Sequence, residues 1–235
     1  MFLKYDRLFA FVKFTLNQDH MTDSSSKASW LRRLPKQARS RQRVDRILDA
    51  AADVFLEVGY EAATTHMIAA RADTAIGSLY QFFPDKWAIF QALELRHIEQ
   101  GRALGAVLFT PAIAQLPLEE FVKQMVEQCV RFFEHPAPRA IFLQYFTNPS
   151  LFRHIDNSFT QEFVKLLSNV LSIMNPALST QTCWLLADVC MQCFNTLVLK
   201  ALQSDASYRQ QLLSQAQDLL VAYLRPHVGA KKTGL

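Results

Sequence analysis

The chain has 235 residues, 50% of them hydrophobic, with only six glycines and a formal net charge of +4. That length allows one large or two small domains with a buried core, and the composition suits a compact, mostly helical protein. No secretory cleavage pattern is visible and no apolar run reads as long enough to span a bilayer, so a reduced, cytoplasmic setting without membrane contact is expected.

The charge is unevenly placed. Residues 27–46 carry Lys27, Arg32, Arg33, Lys36, Arg39, Arg41, Arg43 and Arg46 against the single acid Asp45. That surplus of seven leaves the rest of the chain at −3, given the net +4. Such a segment is either an electrostatic footprint for phosphates or a solvated tail. Upstream, residues 1–20 are apolar but interrupted by Lys4, Asp6, Arg7 and Lys13. They read either as an over-extension, with Met21 as the biological start, or as a helix packing on the protein or a partner. Residues 22–38 are serine-rich and then basic, so 1–38 is expected to be a flexible extension in the absence of DNA.

Val44, Ile47, Leu48, Ala51, Phe55 and Val58 recur at helical spacing and predict a helix over Ser40 to Val58, ended by Gly59. From Thr64 to Lys86 the pattern is a short helix, a turn and a second short helix. Thr64 or Thr65 caps the first, Asp73-Thr74-Ala75 turns, and Pro84 stops the second after Phe83. Asp73 tolerates the left-handed backbone that a tight turn needs. A pair of this kind presents the N-terminal end of its second helix to the DNA major groove. Asp85 then caps a helix reaching Val107, with Trp87, Phe90, Leu93 and His97 along one face. Gly101 and Gly105 weaken its far end by about 1 kcal/mol each relative to alanine. Further helices are expected over 118–134, 139–147, 150–174 (broken near Asn157-Ser158), 179–204 and 206–224, bounded by Pro136, Pro149, Pro176 and Pro226. The fold class is therefore all-α. A helix-turn-helix domain over 39–88 precedes a larger helical domain over 89–226 and a tail over 227–235.

The stretch Thr64 to Lys86 resembles the helix-turn-helix of the TetR family of transcriptional regulators. Ile68, Ala69, Ala72, Gly77, Leu79, Tyr80, Phe83 and Lys86 match the family pattern, and Phe55 to Tyr60 matches the end of its first helix. Asp73, Thr74, Ala75 and Phe82 depart from it; Ala75 lacks the usual capping hydroxyl, for which Thr74 is the candidate substitute. The match spans residues 41–90, and beyond it the family keeps only an architecture. The resemblance implies a homodimer joined by helices 8 and 9, bound to a palindromic double-stranded operator. It also implies a repressor released by a small lipophilic ligand. By carry-over, Ile76, Ser78 and Gln81 face bases, where glutamine pairs with adenine edges and an apolar group meets a thymine methyl. Gly77 sits where backbone approaches DNA. Thr64, Thr65, Tyr80, Phe82 and Lys86 fall at phosphate-contacting positions, which set register without reading sequence. Phe82 stands where a polar ring is usual, and core packing is the alternative for Tyr80 and the preferred reading for Phe83. Arg39, Arg41 and Arg43 are placed to enter a neighbouring minor groove.

Phenylalanines crowd helices 5 to 7, and rigid rings in such number leave gaps. The resemblance puts an effector pocket there, suited to an apolar or aromatic ligand. Its candidate lining is Phe121, Met125, Gln128, Phe142, Tyr145, Phe146, Phe163 and Trp184, with Gln144 and His154 as weaker polar anchors. Any one of these rings can instead be ordinary core. Asp188, inside an apolar run, reads as exposed or interfacial before it reads as a ligand anchor, because an unpaired buried carboxylate is costly. Cys190 and Cys193 form C-x-x-C within a helix and read as small core residues; zinc lacks two further partners, so no metal and no cofactor is expected. Leu186, Val189, Cys190, Cys193, Phe194 and Leu197 on one helix, and Tyr208, Leu212, Ala216, Leu219 and Tyr223 on the next, form stripes for a dimer interface or the intrachain core. An enzyme finds no support: no nucleophile–base set or phosphate loop is present. The rival to ligand control is the same DNA-binding role controlled by a protein partner or by cysteine oxidation.

Overall fold

The computed structural model describes residues 38–152 and 158–228, so the N-terminal extension, Met21 and His154 lie outside the described residues. Among the described residues the regular elements are helices in this order: α1 Ala38–Ala62, α2 Thr65–Arg71, α3 Ile76–Tyr80, α4 Lys86–Leu108, α5 Leu118–Glu134, α6 Pro136–Thr147, α7 Ser158–Met174, α8 Thr180–Leu202 and α9 Ala206–Val228. Short 3-10 turns at Ile113–Gln115 and Pro149–Phe152 join α4 to α5 and follow α6. Contacts divide the chain within α4 into two compact units, Met1–Arg96 and His97–Leu235.

In the first unit, local chemistry sets each element end. Gly59 takes φ 77°, a left-handed conformation that breaks helical geometry near the end of α1. Thr64 caps α2 by accepting from the Met67 N–H at 3.2 Å. Asp73 takes φ 47°, so the turn uses the tolerance its side chain provides. Asp85 Oδ1 accepts from the Ala88 N–H at 2.8 Å and caps α4. Ile47, Ala51, Phe55, Ile68, Leu79, Phe83, Ile89, Phe90 and Leu93 are buried and form the core beneath the two short helices. Arg71 grips both oxygens of Glu57, at 2.8 and 2.6 Å, and fixes α2 on α1.

In the second unit, α8 packs between α7 and α9, α9 also rests on α5, and α6 touches α5 and α8. Phe121, Val122, Met125, Leu167, Leu171, Cys183, Leu186, Cys190, Phe194 and Leu220 fill the centre. Ser179 caps α8 by accepting from the Thr182 N–H at 3.1 Å. At the other end, Arg139 donates to the Leu202 carbonyl at 2.8 Å, and Arg209 to those of Ala201 and Ser204 at 3.1 and 3.0 Å. Arg139 thereby satisfies the last carbonyl of α8, which helix geometry leaves open.

Four sequence expectations change. Pro136 opens α6 rather than only closing α5, because a first-turn proline gives up an N–H the helix does not use. Pro226 lies inside α9, which continues to Val228, so His227 and Val228 are helix and not tail. The helix α8, with 23 residues and an 18-residue window of mean hydropathy 1.4, is long and apolar enough to cross a bilayer by length and composition. Its apolar residues Cys183, Leu186, Ala187, Cys190, Phe194 and Val198 are buried within the unit. Finally, Gly101 and Gly105 are not merely weak points. A Cβ at Gly101 would lie 2.5 Å from Phe159 Cζ, and one at Gly105 3.0 Å from Leu166 Cδ1. The missing side chains let α7 rest directly on α4.

Candidate nucleic-acid interface and aromatic interior

The outward face of the two short helices is built from the candidate base and phosphate residues. Gly77 and Gln81 are exposed, and Ile76 and Ser78 half-buried. A Cβ at Gly77 would meet nothing within 4 Å, so its backbone faces open space. The cap position of α3 is Ala75, which has no side chain to cap with. Thr65 Oγ1 and the Tyr80 hydroxyl share a hydrogen bond of 2.9 Å, which joins the start of α2 to the end of α3. Thr64 is exposed, and its hydroxyl already caps α2. Arg39 and Arg41 are exposed and Arg43 half-buried on the first turns of α1. Arg39, Arg43 and Arg46 line an open, charged depression with Gln42, Asp45 and Asp49.

One expected phosphate contact, Phe82, is corrected, and another, Lys86, has partners inside the unit. Phe82 is only 4% exposed, so its ring belongs to the core with Phe83 and not to the outward face. Lys86 has partners on the end of α1. Its Nζ donates to the carbonyls of Tyr60 at 2.7 Å and Glu61 at 3.1 Å and sits 4.4 Å above the Tyr60 ring. It holds the end of α1 by charge-assisted hydrogen bonds and a cation–π contact. Lys86→Met is therefore expected to lower stability by about 1–2 kcal/mol. Urea unfolding checks this, and an unchanged midpoint would return Lys86 to a role at DNA alone.

In the second unit the rings form one continuous chain. From Phe152 it passes through Tyr145, Phe146, Phe142, Phe133 and Phe132 with neighbouring centroids 4.5–5.3 Å apart. His97 lies 5.6 Å from Phe132 and 5.7 Å from Phe159, and Phe159 leads on to Phe163 and Phe109. Of the expected ligand residues, Phe142, Tyr145, Phe146 and Phe163 belong to this chain, but Tyr145 and Phe146 are each 37% exposed and stand at the surface, not in the interior. Phe121 and Met125 are buried in the central core, Gln128 is half-buried, and Phe142 and Phe163 pack at that core's edge. Trp184 is 38% exposed beside Leu185, on the surface of α8 and not in the interior. Sequence reasoning placed His97 only on a helix face and did not single out Gln100. The sign it could have used was a histidine and a glutamine at i and i+3 beside a helical glycine.

Asp188 is half-buried, with Oδ1 enclosed and unpartnered. Cys190 is buried, and that burial pushes its thiol up to about 12. Its reactive thiolate is then scarce at neutral pH, which counts against this sulfur as an oxidation trigger.

Comparison with known proteins matches both units. Residues 47–93 fit the model described as bacterial regulatory proteins, tetR family, and residues 117–224 fit the tetracyclin repressor-like C-terminal domain. The chain belongs to the TetR family. The transcriptional repressor KstR of Mycolicibacterium smegmatis is 48% identical over 46 residues, 20% of this chain and 22% of that protein. KstR of Rhodococcus jostii is 38% identical over 65 residues, 28% of this chain and 31% of that protein. The chain thus matches less than a third of the length of these curated relatives. A TetR-like regulator from Rhodococcus sp. RHA1 shares the fold with a TM-score of 0.61 at 21% identity, over 84% of this chain and all of that one. The fatty acid degradation regulator FadR of Bacillus halodurans does so with 0.58 at 22%, over 78% and 96%. In TetR-family terms, α2 and α3 are the DNA-binding helix-turn-helix, and α5 to α9 lie in the family's C-terminal domain.

Proposed function

We propose that this TetR-family member is a dimeric repressor that binds a palindromic operator and releases it when a small apolar or aromatic ligand binds the second unit. The observation that carries the reading is the outward face of α3. Gln81 and Gly77 are exposed there, on a helix tied to α2 by the Thr65–Tyr80 bond. The local similarity to repressors named KstR supports repression. Replacing Gln81 with alanine should shift the preferred bases at one position per half-site, at a cost of about 1–3 kcal/mol. Binding measured against a panel of single-base variants tests this; an unaltered preference would remove Gln81 from base reading.

A single five-residue recognition helix offers few contacts, so specific binding calls for two of them related by a two-fold axis. The surface supporting such pairing is the exposed apolar set on α8 and α9: Trp184, Leu185, Tyr208 and Leu219, with Leu185 60% and Leu219 47% exposed. Introducing glutamate at Leu219 should split the dimer, which sedimentation velocity reads directly. A parent protein that sediments as a monomer would contradict the assignment.

Ligand control rests on the continuous ring chain and on α4, which runs unbroken from Lys86 to Leu108. Coupling of this type amounts to about 1–3 kcal/mol and is reciprocal, so saturating operator must weaken the ligand by the same factor.

A further inference from the structure

Beside the ring chain of the second unit, α4 carries two enclosed polar atoms that have no hydrogen-bond partner among the described residues. His97 is 8% exposed, and its Nδ1 is enclosed without a hydrogen bond. Gln100, one turn later on α4, has its Oε1 enclosed and unpartnered in the same way. Residues at i and i+3 share a helix face. Unpaired buried polar atoms of this kind are costly and uncommon in native interiors, and two together on one face call for a reason. The His97 ring is flanked by aromatic rings, with the buried Glu94 one turn before it on the same helix face. Phe132 and Phe159 flank the His97 ring at 5.6 and 5.7 Å, and Phe159 rests on the bare backbone of Gly101. A ring held against a glycine has no side chain locking it from below.

We propose that His97 Nδ1 and Gln100 Oε1 anchor the effector, and that the effector is an uncharged, mainly apolar molecule carrying a hydroxyl group. This rests on the reading that the second unit binds a small molecule. A hydroxyl completes both atoms at once: its proton goes to Gln100 Oε1, and its oxygen accepts from Nδ1–H of the neutral imidazole. The apolar body then takes its place among Phe132, Phe159 and Phe163. A carboxylate fits poorly. Burial holds the His97 imidazole neutral, and the cation next along α4, Arg102, already gives two hydrogen bonds to Glu162, at 2.8 and 2.6 Å.

The test is calorimetric titration of the full chain, without DNA, using three probes of one shape: 2-naphthol, naphthalene and 2-naphthoate. The parent is expected to bind 2-naphthol about tenfold or more tighter than either of the others, one per chain. In His97→Phe and in Gln100→Leu the preference over naphthalene should vanish; Gln100→Leu serves if His97→Phe does not fold. Equal affinity for naphthol and naphthalene in the parent, or a preference that survives in either folded variant, overturns the anchor and leaves ligand control standing. No saturable binding of 2-naphthol overturns the anchor and counts against ligand control as well. Operator recognition is untouched by either result.

Discussion

Phe90→Ala is expected to cost about 3–5 kcal/mol of unfolding free energy, the range for emptying a buried phenylalanine site. Phe90 is 0% exposed and packs against the rings of Tyr60 at 5.1 Å, Trp87 at 5.6 Å and Phe55 at 5.9 Å. Tyr60 in turn lies under Lys86, whose ammonium closes the end of α1. One truncation therefore loosens α1, α4 and the contact that binds them. Domains of this size hold about 5–15 kcal/mol in all, so operator binding should fail at temperatures the parent tolerates. Denaturant unfolding, followed by tryptophan emission, gives the number directly. A loss below about 1 kcal/mol would mean that the first unit is held together elsewhere.

Acid should destabilise the second unit through His97. Burial lowers the imidazole pKa from 6.5 to about 4, so the folded state holds the neutral form. The sign follows from proton binding. Above pH 6.5 the ring is neutral folded and unfolded, and it contributes no pH dependence. Between 6.5 and 4 only the unfolded chain takes up the proton, and stability falls; below 4 this contribution levels off. The full drop is about 3 kcal/mol, from the difference in pKa. The carboxylates of Glu57 and Glu119, held low by Arg71 and by its own backbone N–H with Arg225 respectively, lose stabilisation at lower pH, so the informative quantity is a difference. The pH dependence of unfolding between pH 7.5 and 4.5 should shrink by about 2–3 kcal/mol in His97→Phe relative to the parent. Superimposable pH profiles for the two proteins would show that His97 is protonated without penalty.

Much of the first unit was legible because its signals are local. The cap at Thr64, the left-handed Asp73 and the cap at Asp85 each depend on residues within four positions, whereas α3 ends at Tyr80, short of the expected stop at Pro84. Contacts whose partner is distant in sequence were not legible. Lys86 matches a phosphate position by motif, but its carbonyl partners lie 25 and 26 residues upstream. Phe82 and Phe83 follow a helix of five residues, too short for periodicity to say which ring faces inward, and both do. In the second unit, counting rings picked out residues that the structure joins in one chain of contacts, but not the His97 face beside them. The neighbours of Gly101 and His97 come from α5 and α7, and no spacing within α4 reveals them. Trp184 looked interior because α8 is apolar all round, yet that helix leaves Trp184 and Leu185 exposed.

The central claim, sequence-specific operator binding by paired recognition helices, is tested most directly by selecting random-sequence duplexes with the full chain and titrating the enriched site. The expected product is an inverted repeat whose half-sites are contacted about one helical turn apart or somewhat more, with affinity falling steeply between about 50 and 200 mM salt. Failure to enrich any sequence over the starting pool, or enrichment of a single half-site bound by one chain, would contradict it.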